Sequence, residues 1–367
     1  MHILHVVGAR PNFMKAAPVL AALAKAGVRQ TLVHTGQHYD ANMSEVFFQQ
    51  LEIPAPDLNL GVGSGSHACQ TAEIMARLEP VAADCKPDLV LVYGDVNSTM
   101  AAALVCSKLQ VRVGHVEAGL RSYDRTMPEE INRLVTDQLS DLLFTPSADA
   151  DENLQREGIN PGKIHLVGNV MIDTLVRLLP RCAEHGEVNA SRPYALVTLH
   201  RPSNVDNGPW LRALLRALAE LSREMEVVFP VHPRTRQRIT DLGLQTLFNS
   251  HLRLLDPRPY LDFLALQRRA AMVITDSGGI QEETTFLGVP CLTLRENTER
   301  PVTVKLGTNV LIGRDIPRLN AEIRRILAGE TRKTSPIPLW DGHAAERISE
   351  CLLGRCQTRP QGRKVPA

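Results

Sequence analysis

The sequence lacks the features that mark several large classes of protein. No apolar stretch reaches the roughly 18 residues that a transmembrane helix needs. Charge of one sign is not in excess, because 41 basic residues are balanced by 40 acidic ones and the formal net charge is +1. Such a chain has no overall field that would draw it to nucleic acid or to a membrane surface. We therefore expect a soluble, cytoplasmic protein with neither kind of partner.

The motifs of common metal and cofactor sites are also missing. The seven cysteines form no CxxC pair, which favours reduced thiols over a disulfide framework or a zinc site, and the histidines form no HExxH. No GxxxxGK[ST] loop is present, and GVGSGSH at 61–67 misses the GxGxxG spacing and follows a poor strand. We interpret that stretch as a flexible loop. The sequence thus predicts no metal site and no nicotinamide cofactor.

What the sequence does contain is an alternation of short apolar runs with helical patterns in both halves. HILHVV, QTLVHTG and DLVLVYG lie in the first half, and YALVTLH, EVVFPVH and AAMVITDS lie in the second. Strands that are apolar on both faces and separated by helices indicate parallel sheets covered by helices. The sequence predicts two doubly wound, Rossmann-like α/β domains facing a central cleft, at 1–170 and 171–342. We expect the basic tail at 355–367 to be disordered.

Polar residues stand where the predicted strands end, and ligands of such sheets bind beyond the carboxyl ends of the strands. The stretch TDSGG follows AAMVI and can begin a helix whose first amides accept an anion, although an ordinary helix cap is the plain alternative. Several other residues follow predicted strands and are candidates to line the cleft. These residues are Asp95, Glu117, His200, Arg201 and His232.

Carboxylates and cations in these loops indicate the chemistry. Asp95, Glu117 and Glu129 are acids suited to proton transfer, although the spacing from Thr126 to Glu129 also fits a capping box. Arg10, Lys15, Arg201 and Arg300 suit an anionic ligand with a diphosphate, although Lys15 on a helix face is by default a surface residue. Glu283, one turn into the helix after SGG, could accept hydrogen bonds from ribose hydroxyls or pair locally on the helix surface.

The ordered motifs GARPNFMK, KPDLVLVYGD, GHVEAGLRS, MPEEINR, VHPRT, TDSGGIQEE and RENTERP resemble those of the non-hydrolysing UDP-N-acetylglucosamine 2-epimerases. The resemblance runs from about residue 1 to 350. It implies a GT-B fold in which the second domain binds UDP and a terminal helix, about 343–354, packs back on the first domain. It also implies that the protein is a homodimer, that it acts in cell-surface polysaccharide biosynthesis, and that it needs no cofactor.

The activity implied by the resemblance is reversible conversion of UDP-GlcNAc to UDP-ManNAc through elimination of UDP to 2-acetamidoglucal and its re-addition. Two groups of residues match positions of that family. The catalytic matches are Asp95, Glu117, Glu129 and His200, and the UDP-contacting matches are Arg10, Lys15, Ser277, Gly278, Gly279, Glu283 and Arg300.

The chain departs from many bacterial members at one place. Pro202 and Ser203 stand where those members carry Arg and Glu in a site for activation by a second substrate molecule, so that regulation does not carry over. The motif HTGQHYDANM also resembles the corresponding motif of relatives that act on UDP-2,3-diacetamido-glucuronate. A GT-B glycosyltransferase, a hydrolysing 2-epimerase and a non-catalytic nucleotide-sugar sensor are the remaining alternatives. The retained set of acids argues against the sensor.

Overall fold

The computed structural model describes residues 1–37, 50–184, 193–330 and 332–354. Three sequence-based expectations fall wholly or partly outside these ranges: the disordered tail at 355–367, the motif QHYDANM, and the apolar segment SEVFFQQL that could support a dimer.

Two parallel sheets organise the chain, as the apolar runs predict. The first has seven strands in the order β3-β2-β1-β4-β5-β6-β7, and the second has six in the order β10-β9-β8-β11-β12-β13. In chain order the strands are β1 (His2–Val7), β2 (Arg29–His34), β3 (Leu58–Asn59), β4 (Leu89–Tyr93), β5 (Arg112–Val116), β6 (Leu142–Thr145), β7 (Ile164–Leu166), β8 (Tyr194–Thr198), β9 (Glu226–Pro230), β10 (Leu252–Leu255), β11 (Met272–Thr275), β12 (Cys291–Thr293) and β13 (Asn309–Leu311). The prediction of two doubly wound α/β units is confirmed.

Helices connect the strands and cover both faces of each sheet. They are α1 (Arg10–Lys25), α2 (His67–Cys85), α3 (Asn97–Lys108), α4 (Pro128–Leu139), α5 (Ala148–Arg156), α6 (Val170–Leu178), α7 (Pro202–Val205), α8 (Gly208–Leu221), α9 (Pro233–Asp241), α10 (Tyr260–Arg269), α11 (Gly278–Leu287), α12 (Pro301–Lys305), α13 (Ile316–Leu327) and α14 (Ala344–Leu352). The stretch at 61–66 is irregular, as expected for a loop, and Ser66 caps α2.

The central strands are buried on both faces, which explains their continuous apolar sequences. Every residue of β1 and of β4 is buried. Helix α8 shows the complementary pattern, since its leucines at 211, 214, 215, 218 and 221 all face the second core. These cores hold the ends of the strands in fixed positions, and the site is built on those ends.

The terminal helix α14 packs against α1 and α6, beside the first sheet. The carboxylate of Asp173 in α6 accepts the backbone N–H groups of Ala344 at 3.1 Å and Ala345 at 2.7 Å, so it satisfies two amides of the first turn of α14. The domain boundaries at 170/171 and 342/343 stay predictions.

The remaining expectations from composition have mixed outcomes. No helix within the described ranges is long and apolar enough to cross a membrane. Cys69, Cys85, Cys106, Cys182 and Cys291 carry free thiols. Cys351 is disulfide-bonded, so the expectation of reduced thiols is wrong there, because spacing along the chain does not show which sulfur atoms meet in space.

Candidate functional site

The carboxyl ends of the two sheets face each other, and charged side chains meet between them. Arg300, which follows β12, places Nη2 3.3 Å from Oε1 of Glu117 at the end of β5. Arg295 places Nη2 4.0 Å from the sulfur of Met127, the residue that precedes α4. The predicted cleft between the domains therefore contains direct contacts between groups that sequence reasoning assigned to one site.

Glu117 is held in a constrained position. It follows β5 with a backbone φ of 73°, a left-handed conformation that a residue with a side chain adopts at a cost and that concentrates at functional sites. Its side chain is 2% exposed and forms ion pairs with Lys15 and Arg300. Lys15 is itself buried in α1, so its default interpretation as a surface residue is wrong.

Asp95 lies beside Glu117, in the loop after β4. Its carboxylate pairs with Arg133 of α4, and its backbone carbonyl accepts a hydrogen bond from Asn132 at 2.8 Å. About a quarter of the Asp95 side chain is exposed, so this carboxylate faces the cleft while its loop is fixed to α4.

The two glutamates at the start of α4 differ in their surroundings. Glu129 is exposed at the opening of the helix. Glu130 is buried and accepts hydrogen bonds from Ser122 and from the backbone N–H of Tyr123. Burial alone would raise the pKa of Glu130, but the Ser122 N–H and the nearby Arg133 guanidinium outweigh it and lower the pKa. The carboxylate of Glu130 thus stays ionised.

The capping-box alternative for α4 is wrong. The residue at the N-cap is Met127, and no side-chain cap bond forms there within the described residues. Pro128 occupies the first helical position, which places the N-cap at Met127, and Thr126 before it donates its hydroxyl to Asp124 at 2.6 Å. Glu129 is therefore free of the reciprocal cap that its spacing suggested.

On the opposite side of the cleft, α11 begins as the TDSGG motif predicts. Ser277 occupies the N-cap, although its hydroxyl makes no cap bond with the described residues, and Gly278 and Gly279 form the first turn. A side chain on Gly278 would place its Cβ 2.7 Å from Nη1 of Arg300, so only glycine permits that arginine to reach the helix start. The first amides and Arg300 together form an arrangement suited to an anion.

Arg300 is surrounded by acids. Its Nε lies 2.8 Å from Glu282 Oε1 and its Nη1 lies 3.4 Å from Glu299 Oε2, in addition to the contact with Glu117. Burial would lower the pKa of Arg300, but Glu282, Glu117 and Glu299 outweigh it and raise that pKa further. Burial raises the pKa of Glu282 to about 7 despite the neighbouring Arg300.

The predicted ribose ligand, Glu283, is buried rather than on the helix surface. The hydroxyl of Tyr260 donates to Glu283 Oε1 at 2.8 Å, and burial raises the pKa of Glu283 to about 7. Arg10, at the start of α1, is close enough for its charge to oppose that shift. The local helix-surface alternative for Glu283 is therefore wrong.

His200 and Arg201 are positioned by Asp276 of the TDSGG motif. The buried Asp276 carboxylate accepts the backbone N–H groups of both residues and lies 2.8 Å from Nδ1 of His200. This contact favours a proton on Nδ1 and fixes the orientation of the half-exposed ring. Burial, and the nearby His200 and Arg234, lower the pKa of His232 at the N-cap of α9.

The structure therefore gathers most of the predicted residues but in two groups. Lys15, Asp95, Glu117, Gly278 and Arg300 belong to one network of contacts, whereas His200 and Arg201 contact Asp276 and His232 lies near His200. Arg201 joins the two groups, because its Nη2 lies 3.7 Å from Oε1 of Glu299, a partner of Arg300. Sequence reasoning missed partners of the first group, namely Arg133, Glu282, Arg295 and Glu299. Their signal was present in MPEEINR, IQEE and RENTERP, where each stands within a few residues of a candidate that was chosen.

The sequence model of the UDP-N-acetylglucosamine 2-epimerase family matches residues 21–353. The chain belongs to this family. It is 41% identical over 361 residues to the UDP-N-acetylglucosamine 2-epimerase of Methanococcus maripaludis, with 95% of this chain and 97% of that protein covered.

Two further similarities bear on the family assignment. The UDP-2,3-diacetamido-2,3-dideoxy-D-glucuronate 2-epimerase of Pseudomonas aeruginosa is 43% identical, with 96% of this chain and 99% of that protein covered. The crystal structure of Methanocaldococcus jannaschii UDP-GlcNAc 2-epimerase in complex with UDP-GlcNAc and UDP has a TM-score of 0.89 at 40% identity, covering 96% of this chain and 100% of that one. The predicted epimerase family and GT-B architecture are confirmed.

Proposed function

We propose that this epimerase converts UDP-GlcNAc reversibly to UDP-ManNAc without hydrolysis. The observation that carries the proposal is the position of Arg300, which reaches both the start of α11 at Gly278 and the carboxylate of Glu117. A diphosphate bound at that helix start and to Arg300 would place the attached sugar beside Glu117 and Asp95. The same arginine therefore links the leaving group to the acids.

The nucleotide end of the substrate has complementary groups further along α11. Glu283 would accept hydrogen bonds from the ribose hydroxyls, and Arg10 would balance its charge or contact the diphosphate. Ser277 and Gly279 would add the hydroxyl and amide donors of the first turn. His232 and Arg201 would line the neighbouring wall of the cleft. In support, the similar protein of M. jannaschii was crystallised with UDP-GlcNAc and UDP.

The reaction we propose is an elimination followed by an addition. A carboxylate among Asp95, Glu117 and Glu129 takes the proton from C2 while the C1–O bond breaks and its electrons leave with UDP. A C1=C2 double bond remains in 2-acetamidoglucal. The diphosphate oxygen then re-forms the bond to C1, and a proton is delivered to the opposite face of C2.

The leaving diphosphate is what makes this proton transfer feasible. A carboxylate acting as general base contributes about 10²–10⁴-fold, which is too little for the weakly acidic C2 hydrogen of an ordinary sugar. Departure of UDP builds positive charge at C1 and acidifies that hydrogen. The α11 amides, Arg300 and the His200 ring held by Asp276 would stabilise negative charge as it develops on the diphosphate.

A second candidate substrate is UDP-2,3-diacetamido-glucuronate, and the 43% identical relative from P. aeruginosa favours it. Epimerisation at C2 would be unchanged, whereas the sugar pocket would have to accept a carboxylate at C6 and an acetamido group at C3. We also propose that the enzyme is a homodimer that supplies a nucleotide sugar for cell-surface polysaccharide, as the resemblance implies, and that it is cytoplasmic, as its composition leads us to expect.

Proton NMR of the purified enzyme with UDP-GlcNAc in D2O tests the proposal. We expect the C2 proton to exchange with solvent and UDP-ManNAc to rise to a plateau that is also reached from UDP-ManNAc. Free ManNAc with UDP would instead indicate a hydrolysing epimerase. Without exchange, the diacetamido-uronate is tested next, and no exchange there would overturn the proposal in favour of a transferase or a sensor.

A further inference from the structure

A buried chain of charges lies beneath the site, next to the residues proposed to contact substrate. His115 of β5 contacts Asp137 of α4, with Nδ1 2.6 Å from Oδ1. Asp137 Oδ2 lies 2.7 Å from Nη1 of Arg121, and Arg121 makes a two-point contact with Glu157 at 2.8 and 2.6 Å. None of these four residues is required by the proposed proton transfer.

Both nitrogens of the His115 ring meet acceptors. Nδ1 faces the Asp137 carboxylate, and Nε2 lies 2.7 Å from the backbone carbonyl oxygen of Gly94. Asp137 Oδ2 pairs with Arg121 at 2.7 Å and accepts the Gly119 N–H at 3.1 Å, so the carboxylate is ionised and can only accept. A carbonyl oxygen also only accepts. Two good hydrogen bonds therefore require a proton on each ring nitrogen.

Burial removes solvent as a partner of the ring. The side chains of His115 and Asp137 are 0% exposed and that of Arg121 is 1% exposed, whereas that of Glu157 is 24% exposed. Because solvent has no access to the His115 ring, both of its contacts have to be satisfied within the protein.

This chain connects the three segments that carry the candidate acids. The Gly94 carbonyl held by His115 immediately precedes Asp95, and Glu117 follows His115 by two residues, just after β5 ends. Asp137 belongs to α4, which begins beside Glu129, and its Oδ2 also accepts the Gly119 N–H at 3.1 Å. One ring thus fixes the distance between the end of β4, the end of β5 and α4.

We propose that His115 carries a proton on both ring nitrogens and is a positioning residue, which holds the Asp95 loop and α4 at a fixed distance from Glu117. The protonation state is independent of the proposed function, whereas the kinetic consequence rests on it. The imidazolium touches no substrate atom, so its contribution is geometric. A displacement of about 1 Å in such an arrangement can cost about 10²-fold in rate.

The first test is nitrogen-15 NMR of protein labelled at histidine, between pH 7 and 8.5. His5 of β1 is the internal control, because it is equally buried but pairs with the Tyr93 hydroxyl, and burial lowers the pKa of His5 to about 3. We expect His115 to show two protonated ring nitrogens across this range and His5 to show one. The signals are assigned with the variants His115→Gln and His5→Gln. A single protonated nitrogen at His115 would overturn the imidazolium.

The second test compares the kinetics of the same two variants. We expect His115→Gln to lower kcat by about 10–100-fold with KM within about 3-fold, because the acids are misplaced while UDP binding is kept. His5→Gln removes an equally buried ring from the same sheet and should keep kcat. Equal kcat values in the two folded variants would overturn the positioning role.

A variant of the partner gives the same information should His115→Gln not fold. Asp137→Asn keeps the size of the side chain but removes the charge that favours the ring cation. It should leave one ring nitrogen of His115 unprotonated at pH 8 and lower kcat as well. Wild-type exchange at C2 is measured alongside, so that failure of the proposed epimerisation is recognised separately.

Discussion

Helices α4 and α11 both begin at the cleft, but their first turns have opposite character. The first turn of α4 holds Glu129 and Glu130, so its partial positive charge is already met by carboxylates. The first turn of α11 holds Gly278 and Gly279 with no acid, and its amides face Arg300. One helix start therefore supplies negative charge to the cleft, and the other can receive it from a ligand.

The carboxylates on these helices also differ in protonation. Glu130 of α4 has a lowered pKa because, against burial, its hydrogen bonds and Arg133 favour the ionised form. Glu283 of α11 has a pKa raised to about 7 because burial dominates. We infer that the side of the cleft with α4 supplies ionised carboxylates, whereas the side with α11 binds the nucleotide.

The largest effect is expected when a carboxylate is removed from the side of the cleft that carries α4 and the end of β5. Glu117→Gln should lower the rate of C2 exchange by about 10²–10⁴-fold, because a general base is lost. UDP binding, measured by calorimetry, should weaken far less, since Lys15 and Arg300 remain. Glu152→Gln on the exposed face of α5 is the matched control and should retain the rate. Normal exchange in Glu117→Gln would move the base to Asp95 or Glu129.

Removing Arg300 should affect both sides of the cleft, because this residue contacts Glu117 on one side and the start of α11 on the other. Arg300→Met leaves Glu117, Glu282 and Glu299 buried without their shared cation, and such losses destabilise by about 3–5 kcal/mol. Denaturant unfolding measures this change, and UDP should restore less stability than in wild type. Arg325→Met, which removes an exposed ion pair, should change stability little. Equal effects would mean that Arg300 is not central to the site.

The difference between the two helix starts can be removed by placing an acidic residue in the first turn of α11, as in α4. At Gly279 an added Cβ would meet only Met171 Cε at 3.7 Å, so Gly279→Asp and Gly279→Ala both have space among the described residues. Aspartate would weaken UDP binding by about 10–100-fold relative to alanine, because its charge opposes the diphosphate. The difference should shrink at high salt. A difference independent of salt would argue for a steric cause.

Sequence reasoning located this site because parallel sheets bring strand ends to one edge. The motifs after β4, β5 and β11 were therefore enough to select Asp95, Glu117 and the start of α11. It failed where a partner lies far along the chain. Glu117 and Arg300 are 183 residues apart, so no local spacing shows that they pair.

Besides long-range pairing, the sequence did not show which side chains are buried. Lys15 and Glu283 each looked like helix-surface residues, yet both are buried against residues of other elements: Lys15 pairs with Glu117, and Glu283 accepts the Tyr260 hydroxyl. The cap of α4 was misplaced for a different reason: Pro128 occupies the first helical position, so the N-cap is Met127 and not Thr126. Alternation of strands and helices predicts the fold, whereas the charge network depends on how two such units meet.

The smallest expected effect concerns the opposite pKa shifts of Glu283 on α11 and Glu130 on α4. It is measured as a change in the free energy of unfolding with pH. The folded pKa of Glu283 lies above its unfolded value of 4.5, so its stabilising contribution is complete below that value and is lost as pH rises through about 7. Glu283→Gln, which can still accept the Tyr260 hydrogen bond, should gain stability relative to wild type between pH 5 and pH 8.5, by about 2 kcal/mol.

Glu130→Gln is the control of opposite sign for that measurement. The folded pKa of Glu130 lies below 4.5, so its contribution is present above the unfolded value and is lost as pH falls through the folded one. The variant should therefore be less stable than wild type at pH 8, and the deficit should shrink toward pH 4. Parallel pH profiles for the two variants would contradict the contrast between α4 and α11, because both glutamates would then titrate alike in the folded enzyme.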